Sequence, residues 1–357
     1  MGGRAAANTL SVSTCRDCNN TCGLFVDGQF ARSWLITNHM AYDALKYVDL
    51  DLGTPLPLIY LGSVQKLDPY PYEHADLWLS MCRSRILHLH SHGGRKWLGQ
   101  AGGNPIERKR HPGTAIFINA ANDFPWARVG LRSFYEKFLR ERRMTYGVQF
   151  SSEKDLTAFG SSPDAAHKPI VDRYLQLDIP DEPISFEIAA RMDFDQRFIA
   201  KVALGIGFKY LGETFLCSPW ADLLSETLWA KSAAEQERLR PIGIGMLDTS
   251  NQEVHRTIRW EGGVTLVLMP AGNFLTLQMS IFGQYFAVIV SDDPFVWKRR
   301  HDVEEGLAWV LIPQREFCEG PISFPRYLSH KLGHEQVPRL VEAASWRADP
   351  TIPPLAP

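Results

Sequence analysis

Cys15, Cys18 and Cys22 are the densest run of chemistry-bearing side chains in the sequence, and half of its six cysteines. Cys15-x-x-Cys18 has the spacing of a metal knuckle. Two thiolates two residues apart grip one Zn²⁺ in a tight turn, but zinc takes four ligands. Cys22 is the candidate third ligand, although one helical turn beyond Cys18 is an unusual place for a knuckle thiolate. The more economical reading is that a second C-x-x-C lies upstream and is absent from this chain. In a reducing compartment such a cluster binds metal rather than forming disulfides.

Other sets of side chains are weaker candidates. His88, His90 and His92 alternate in LHLHSHGG, so on a strand they share one face and offer imidazoles to a metal. With no carboxylate at a supporting spacing, a half-exposed strand face beside a Gly-rich turn is the favoured reading. His330 and His334 have the i, i+4 spacing of zinc proteases but lack the Glu that would act as general base. Residues 83–143 hold 13 Lys and Arg against 4 Asp and Glu. Arg108, Lys109 and Arg110 are the candidate phosphate contacts in that patch, set against the ordinary reading of a solvated charged surface. Cys82, Cys217 and Cys318 stand alone in apolar settings and are expected to be buried.

These side chains need elements to hold them. The composition, 45% hydrophobic and 22% charged, suffices for a real core. The net charge of −2 excludes a protein that merely coats nucleic acid. With no apolar leader and no long apolar run, a soluble cytoplasmic protein without membrane partners is expected. Leu58–Val64, Ser84–His90 and Thr114–Asn119 read as strands. LRSFYEKFLRERR, Leu131–Arg143, reads as an amphipathic helix. A strand is expected at Ile184–Ala190, and a long helix capped by Asp193 or Asp195 follows. Gly205 and Gly207 inside that helix imply close packing of another element. A second helix is expected over Trp220–Leu239. Strands over 256–260, 264–269, 274–281 and 285–290 would form an antiparallel meander. The fold class is α+β, with boundaries at 1–48, 49–162, 163–346 and a disordered tail at 347–357.

One stretch carries a resemblance. Gly2-Gly3, Asn8-Thr9-Leu10, Cys15-Arg16-Asp17-Cys18-Asn19-Asn20, Gly23 and Val26-Asp27 resemble the second half of an HNH endonuclease motif. The family carries a first C-x-x-C, a strand with Glu-His-x-x-Pro, a Leu-Gly-Gly loop and then C-x-x-C-N. The resemblance covers residues 1–27; the segment Arg197-Phe198-Ile199-Ala200-Lys201 also resembles a helix found downstream in such proteins. It implies a remnant of a ββα-metal fold and metal-dependent phosphodiester hydrolysis of nucleic acid. Asn19 matches the metal ligand on the helix, and Asn8 the Asn that orients the general base. Cys15 and Cys18 match half of a structural Zn²⁺ site, beside a catalytic divalent cation such as Mg²⁺. The Glu-His-x-x-Pro half is missing, so the chain as written is expected not to cut DNA. Met1 stands where the family has Leu, which suggests a start assigned within the gene. The alternatives are a non-catalytic zinc-knuckle interaction protein, and an unrelated enzyme using the His88–His92 face.

Overall fold

The computed structural model describes residues 15–31, 36, 39–40, 43–49, 55–81, 83–91, 113–119, 124–139, 141–148, 160–177, 192–230, 232–239, 243–244, 252–298 and 300–347. They fall into two units. One comprises described residues of Met1–Phe30 and Arg191–Asp349, the other those of Ala31–Ala190.

The first half of the chain gives α1 (Arg16–Cys22), β1 (Ile59–Ser63), β2 (His74–Leu79), β3 (Arg85–His90), β4 (Thr114–Ile118), α2 (Phe124–Lys137), β5 (Arg142–Tyr146) and α3 (Lys168–Gln176). The second half gives α4 (Met192–Leu211), α5 (Pro219–Trp229), α6 (Ala233–Leu239), β6 (Gly243–Ile244) and α7 (Gln252–Ile258). It continues with β7 (Val264–Ala271), β8 (Phe274–Ile281), β9 (Gln284–Ser291), β10 (Leu307–Ile312), β11 (Phe317–Ser323), α8 (Phe324–Lys331) and α9 (Pro338–Ser345). The architecture is α+β, as the sequence pattern indicates.

The Ala31–Ala190 unit is built on a sheet of order β1-β2-β3-β4-β5. Neighbours are antiparallel except β4 and β5, which run parallel and are joined through α2. A parallel pair needs such a crossover. β4, Thr-Ala-Ile-Phe-Ile, is buried throughout, because helices cover both faces of the sheet. On the α2 side, Leu131, Phe134 and Phe138 pack with Leu58, Trp78, Ile86, Ala115 and Phe117. On the α3 side, Ile170, Val171 and Tyr174 pack with Leu77, Leu87, Leu89, Ile116, Ile118 and Met144. The period of two along β3 therefore sends Ile86, His88 and His90 toward α2, and Leu87 and Leu89 toward α3.

Several sequence expectations change here. The strands at 58–64, 84–90 and 114–119 are present, and β2 and β5 stand beside them without having been expected. The helix expected over 131–143 starts earlier and stops at Lys137. Arg142–Tyr146 instead pairs with β4, and Met144 enters the core, so sheet pairing overrides the helical pattern. The boundary expected between 162 and 163 cuts through this unit, since Ile170, Val171 and Tyr174 complete one face of the sheet.

The second sheet, β11-β10-β7-β8-β9-β6, is antiparallel throughout. The expected meander over 264–290 is its centre. Residues 256–258 belong to helix α7 rather than a strand, supported by an exposed Arg256–Glu253 pair one turn apart. The single helix expected over 220–239 is two, α5 and α6. Ser218 caps α5, accepting a hydrogen bond from the Ala221 N–H, and Pro219 opens its first turn. Trp220 ties the helix to the sheet, donating from Nε1 to the Ile289 carbonyl at 2.6 Å. The expected strand at 184–190 and the tail beyond 347 lie outside the described residues.

Gly207 in α4 meets the close approach expected of it. A Cβ there would lie 2.4 Å from the Phe215 ring, which is fully buried. Helix propensity alone would make Gly207→Ala stabilising by about 1 kcal/mol. Overpacking against Phe215 reverses the sign, and the expected net change is a loss of roughly 1–3 kcal/mol. Denaturant unfolding checks this, and a more stable variant would mean that Phe215 moves aside freely.

Candidate functional site

α1 begins at the cysteines. Cys15 is its N-cap, and its Sγ accepts a hydrogen bond from the Cys18 N–H at 3.0 Å. Cys15, Cys18 and Asn19 are all exposed, within the first turn of the helix. Hydrogen bonds from the Cys18 side chain and backbone hold the Cys15 thiol below its ordinary pKa, and the same side-chain hydrogen bond pushes Cys18 up. Cys22 lies on the inner side and is buried, which raises its thiol.

The helix is mounted firmly. Beyond Cys22 the chain stays helical to Ala31, and Val26 and Phe30 turn into the core. Phe30 stacks parallel on Phe198 of α4, with centroids 4.0 Å apart, and meets Phe286 of β9 edge-on at 5.9 Å. Lys201, one turn past Phe198, reaches Asp27 with Nζ 2.5 Å from Oδ2.

A second cluster lies in the five-stranded sheet. Register sets Asp76 of β2 opposite His88 of β3, and His74 opposite His90. Asp76, His88 and His90 each offer one ligand atom, all within 4.8 Å of one another, and all three are buried. His90 Nε2 is 2.9 Å from Asp76 Oδ2, and the Ser63 hydroxyl donates to Asp76 Oδ1 at 2.5 Å. Burial would push the Asp76 carboxyl up. Hydrogen bonds from His90 and Ser63, with the charge of both imidazoles, outweigh it and hold Asp76 below the usual range. Glu141, in the turn between α2 and β5, brings Oε1 to 3.8 Å from His88 Nε2 with its side chain 6% exposed. The ring of Phe138 closes over His88 at 5.2 Å.

On the opposite face, Asp164 anchors the turn that leads into α3. Its Oδ1 accepts the N–H groups of Ala166 and His167 and lies 2.6 Å from His167 Nδ1, and the His167 hydrogen bond takes Asp164 down to about 2. His167 Nε2 then meets the Tyr72 hydroxyl at 2.9 Å, which meets Thr114 at 2.7 Å. This chain ties α3 to β4.

Cys15, Cys18 and Asn19 are thus brought together. Asn8, Arg108, Lys109, Arg110 and His92 lie outside the described residues. His330 serves packing, stacked on Trp260 with centroids 6.1 Å apart. Cys318 is buried as expected, whereas Cys217 is exposed. His88 and His90 are not a half-exposed face, and the supporting carboxylates come from β2 and the α2–β5 turn. HADLWL carries no clean alternation that would mark β2 in the sequence, so Asp76 becomes a partner of His88 and His90 only through the β2–β3 pairing. Among the described residues no third His, Cys, Asp or Glu joins Cys15 and Cys18 within ligand distance. Two thiols are half of a zinc set.

No protein-family model, curated protein or solved structure matches the chain. Among the described residues no helix is long and apolar enough to cross a membrane.

Thiol environment sets an order of reactivity. In metal-free protein at mildly alkaline pH, Cys15 is expected to alkylate first, then Cys18, with Cys22 slowest. Peptide mass spectrometry over time reads this order, and a Cys22 that reacts as fast as Cys15 would contradict the mounting of α1.

Proposed function

We propose that the chain is an HNH-endonuclease-like protein that engages nucleic acid. The observation that carries this reading is the contact between the two segments that resemble the family. Asp27, at the end of the cysteine stretch, meets Lys201 of α4 across a separation of 174 residues, and Phe30, just beyond the stretch, stacks on Phe198. A cutting centre needs its ligands on a rigid mount, and this contact supplies one. The Cys15 cap also leaves Cys18 and Asn19 facing outward in the first turn.

In this reading Cys15 and Cys18 serve a structural Zn²⁺, and Asn19 a catalytic divalent cation such as Mg²⁺. The cation would polarise the phosphate while a His general base activates water. That His, with its Glu-His-x-x-Pro strand, would have to come from another segment. By itself the chain binds without cutting. Asn8 is the candidate positioning residue for the base, and Arg108, Lys109 and Arg110 are the candidate phosphate contacts. A second reading, a non-catalytic zinc-knuckle interaction protein, is favoured by the thiol pair finding no third ligand among the described residues.

Binding to duplex DNA across a salt series separates the two. Changing Arg108, Lys109 and Arg110 together to Ala is expected to flatten the slope of log K against log salt by about 3, at roughly 0.9 for each phosphate no longer neutralised. Supercoiled plasmid with Mg²⁺ should remain uncut. Absence of DNA binding, or an unchanged slope, would favour the second reading.

A further inference from the structure

We propose that Asp76, His88, His90 and Glu141 form a closed, structural site for a borderline divalent cation of the Zn²⁺ class. The site is independent of the cysteine stretch and of the nuclease reading. Four features of the sheet support it.

The donor set comes first. Two imidazole nitrogens and two carboxylate oxygens suit a borderline cation, and four ligands suit tetrahedral Zn²⁺. Thiolates are absent from the set, and an oxygen-only cation such as Mg²⁺ would not select two imidazoles. Geometry comes second. The three nearest ligand atoms lie within 4.8 Å of one another. A tetrahedral cation about 2.0 Å from each ligand spaces them ~3.3 Å apart, within reach of small side-chain rotations. Glu141 stands outside that set of three, 3.8 Å from His88 alone, and a rotation of its side chain from the α2–β5 turn would bring it in as the fourth ligand.

Orientation is the third feature. Ser63 holds Asp76 Oδ1 and leaves Oδ2 turned toward His90. Outer hydrogen bonds that fix a ligating carboxylate in this way are the usual support of a metal site. The fourth is the space kept at Gly113. A Cβ there would stand 2.6 Å from the Leu89 carbonyl oxygen, 2.9 Å from Glu141 Oε2 and 3.0 Å from His88 Nε2. Glycine before β4 thus allows close approach to the β3 backbone and also keeps the gap between His88 and Glu141 clear. Because all four side chains are enclosed and Phe138 covers His88, no position is left for substrate, which makes the role structural. The cation would join β2, β3 and the α2–β5 turn.

The test uses the full chain with Cys15→Ser and Cys18→Ser, so that no thiolate pair contributes. Zinc analysis after dialysis against Zn²⁺ is expected to give one equivalent per chain. Zinc at about 100 times its Kd is expected to raise Tm by roughly 5–10 °C, an effect reversed by chelator. His88→Gln with His90→Gln should abolish the equivalent. Glu141→Gln should weaken Zn²⁺ affinity at least tenfold while leaving the far-ultraviolet spectrum unchanged. Co²⁺ in place of Zn²⁺ should give the intense visible bands of tetrahedral coordination, a readout that needs no further variant. The proposal is overturned if the Cys15→Ser, Cys18→Ser chain takes no zinc, if Zn²⁺ leaves Tm unmoved, if Co²⁺ gives only weak octahedral bands, or if the His variants keep the metal.

Discussion

Two carboxylates and two imidazoles cannot be sealed into a packed sheet layer unless their charges are balanced there. An unpaired buried ion is far costlier than any single contact in a domain of this size. Breaking a buried pair by removing one partner costs about 3–5 kcal/mol. The five-stranded sheet is arranged around that constraint. Pairing Asp76 with His88 across β2 and β3 fixes the register, and a slip of one residue would turn Asp76 into the apolar α3 side. Along the α2 side the layer grades from Trp78, Ile86, Phe117 and Phe134 to the four polar groups, with Phe138 at the junction. The cation proposed there would supply two positive charges against the two carboxylates.

The other unit solves a different problem, how to hold a short helix that carries exposed thiols. α1 has only two turns, too short to be stable alone. Its order comes from the residues just beyond it, through the Phe30–Phe198 stack and the Asp27–Lys201 pair on the long helix α4. Cys15 and Cys18 are presented outward because Cys22, Val26 and Phe30 are drawn inward. The proposed nuclease-like reading draws on this mount and on the exposed turn it carries.

Much of this fold is legible in the residues. The meander over β7, β8 and β9 shows in its alternation and turn residues, and α4 in its apolar period. Gly207 signals close packing without naming Phe215 as the partner. The elements that are not legible have physical causes. β5 carries residues that suit a helix, and only pairing with β4 makes it a strand. β2 is bounded by polar turns and reads as irregular until β3 is beside it. An unrecognised β2 hides the metal cluster as well, because His88 and His90 are visible while Asp76, one strand away, is not. A site whose ligands come from three elements cannot be recognised from the spacing within one of them. The cysteine stretch is legible for the opposite reason, since its residues act within a single helical turn.

Zinc K-edge X-ray absorption on the chain carrying Cys15→Ser and Cys18→Ser reads the ligand atoms of the sheet site themselves. A closed Asp76, His88, His90 and Glu141 site should give a first shell of four nitrogen and oxygen scatterers at about 2.0–2.1 Å, with the outer-shell pattern of two imidazoles. Sulfur at about 2.3 Å, or a shell of oxygens without imidazole, would contradict it.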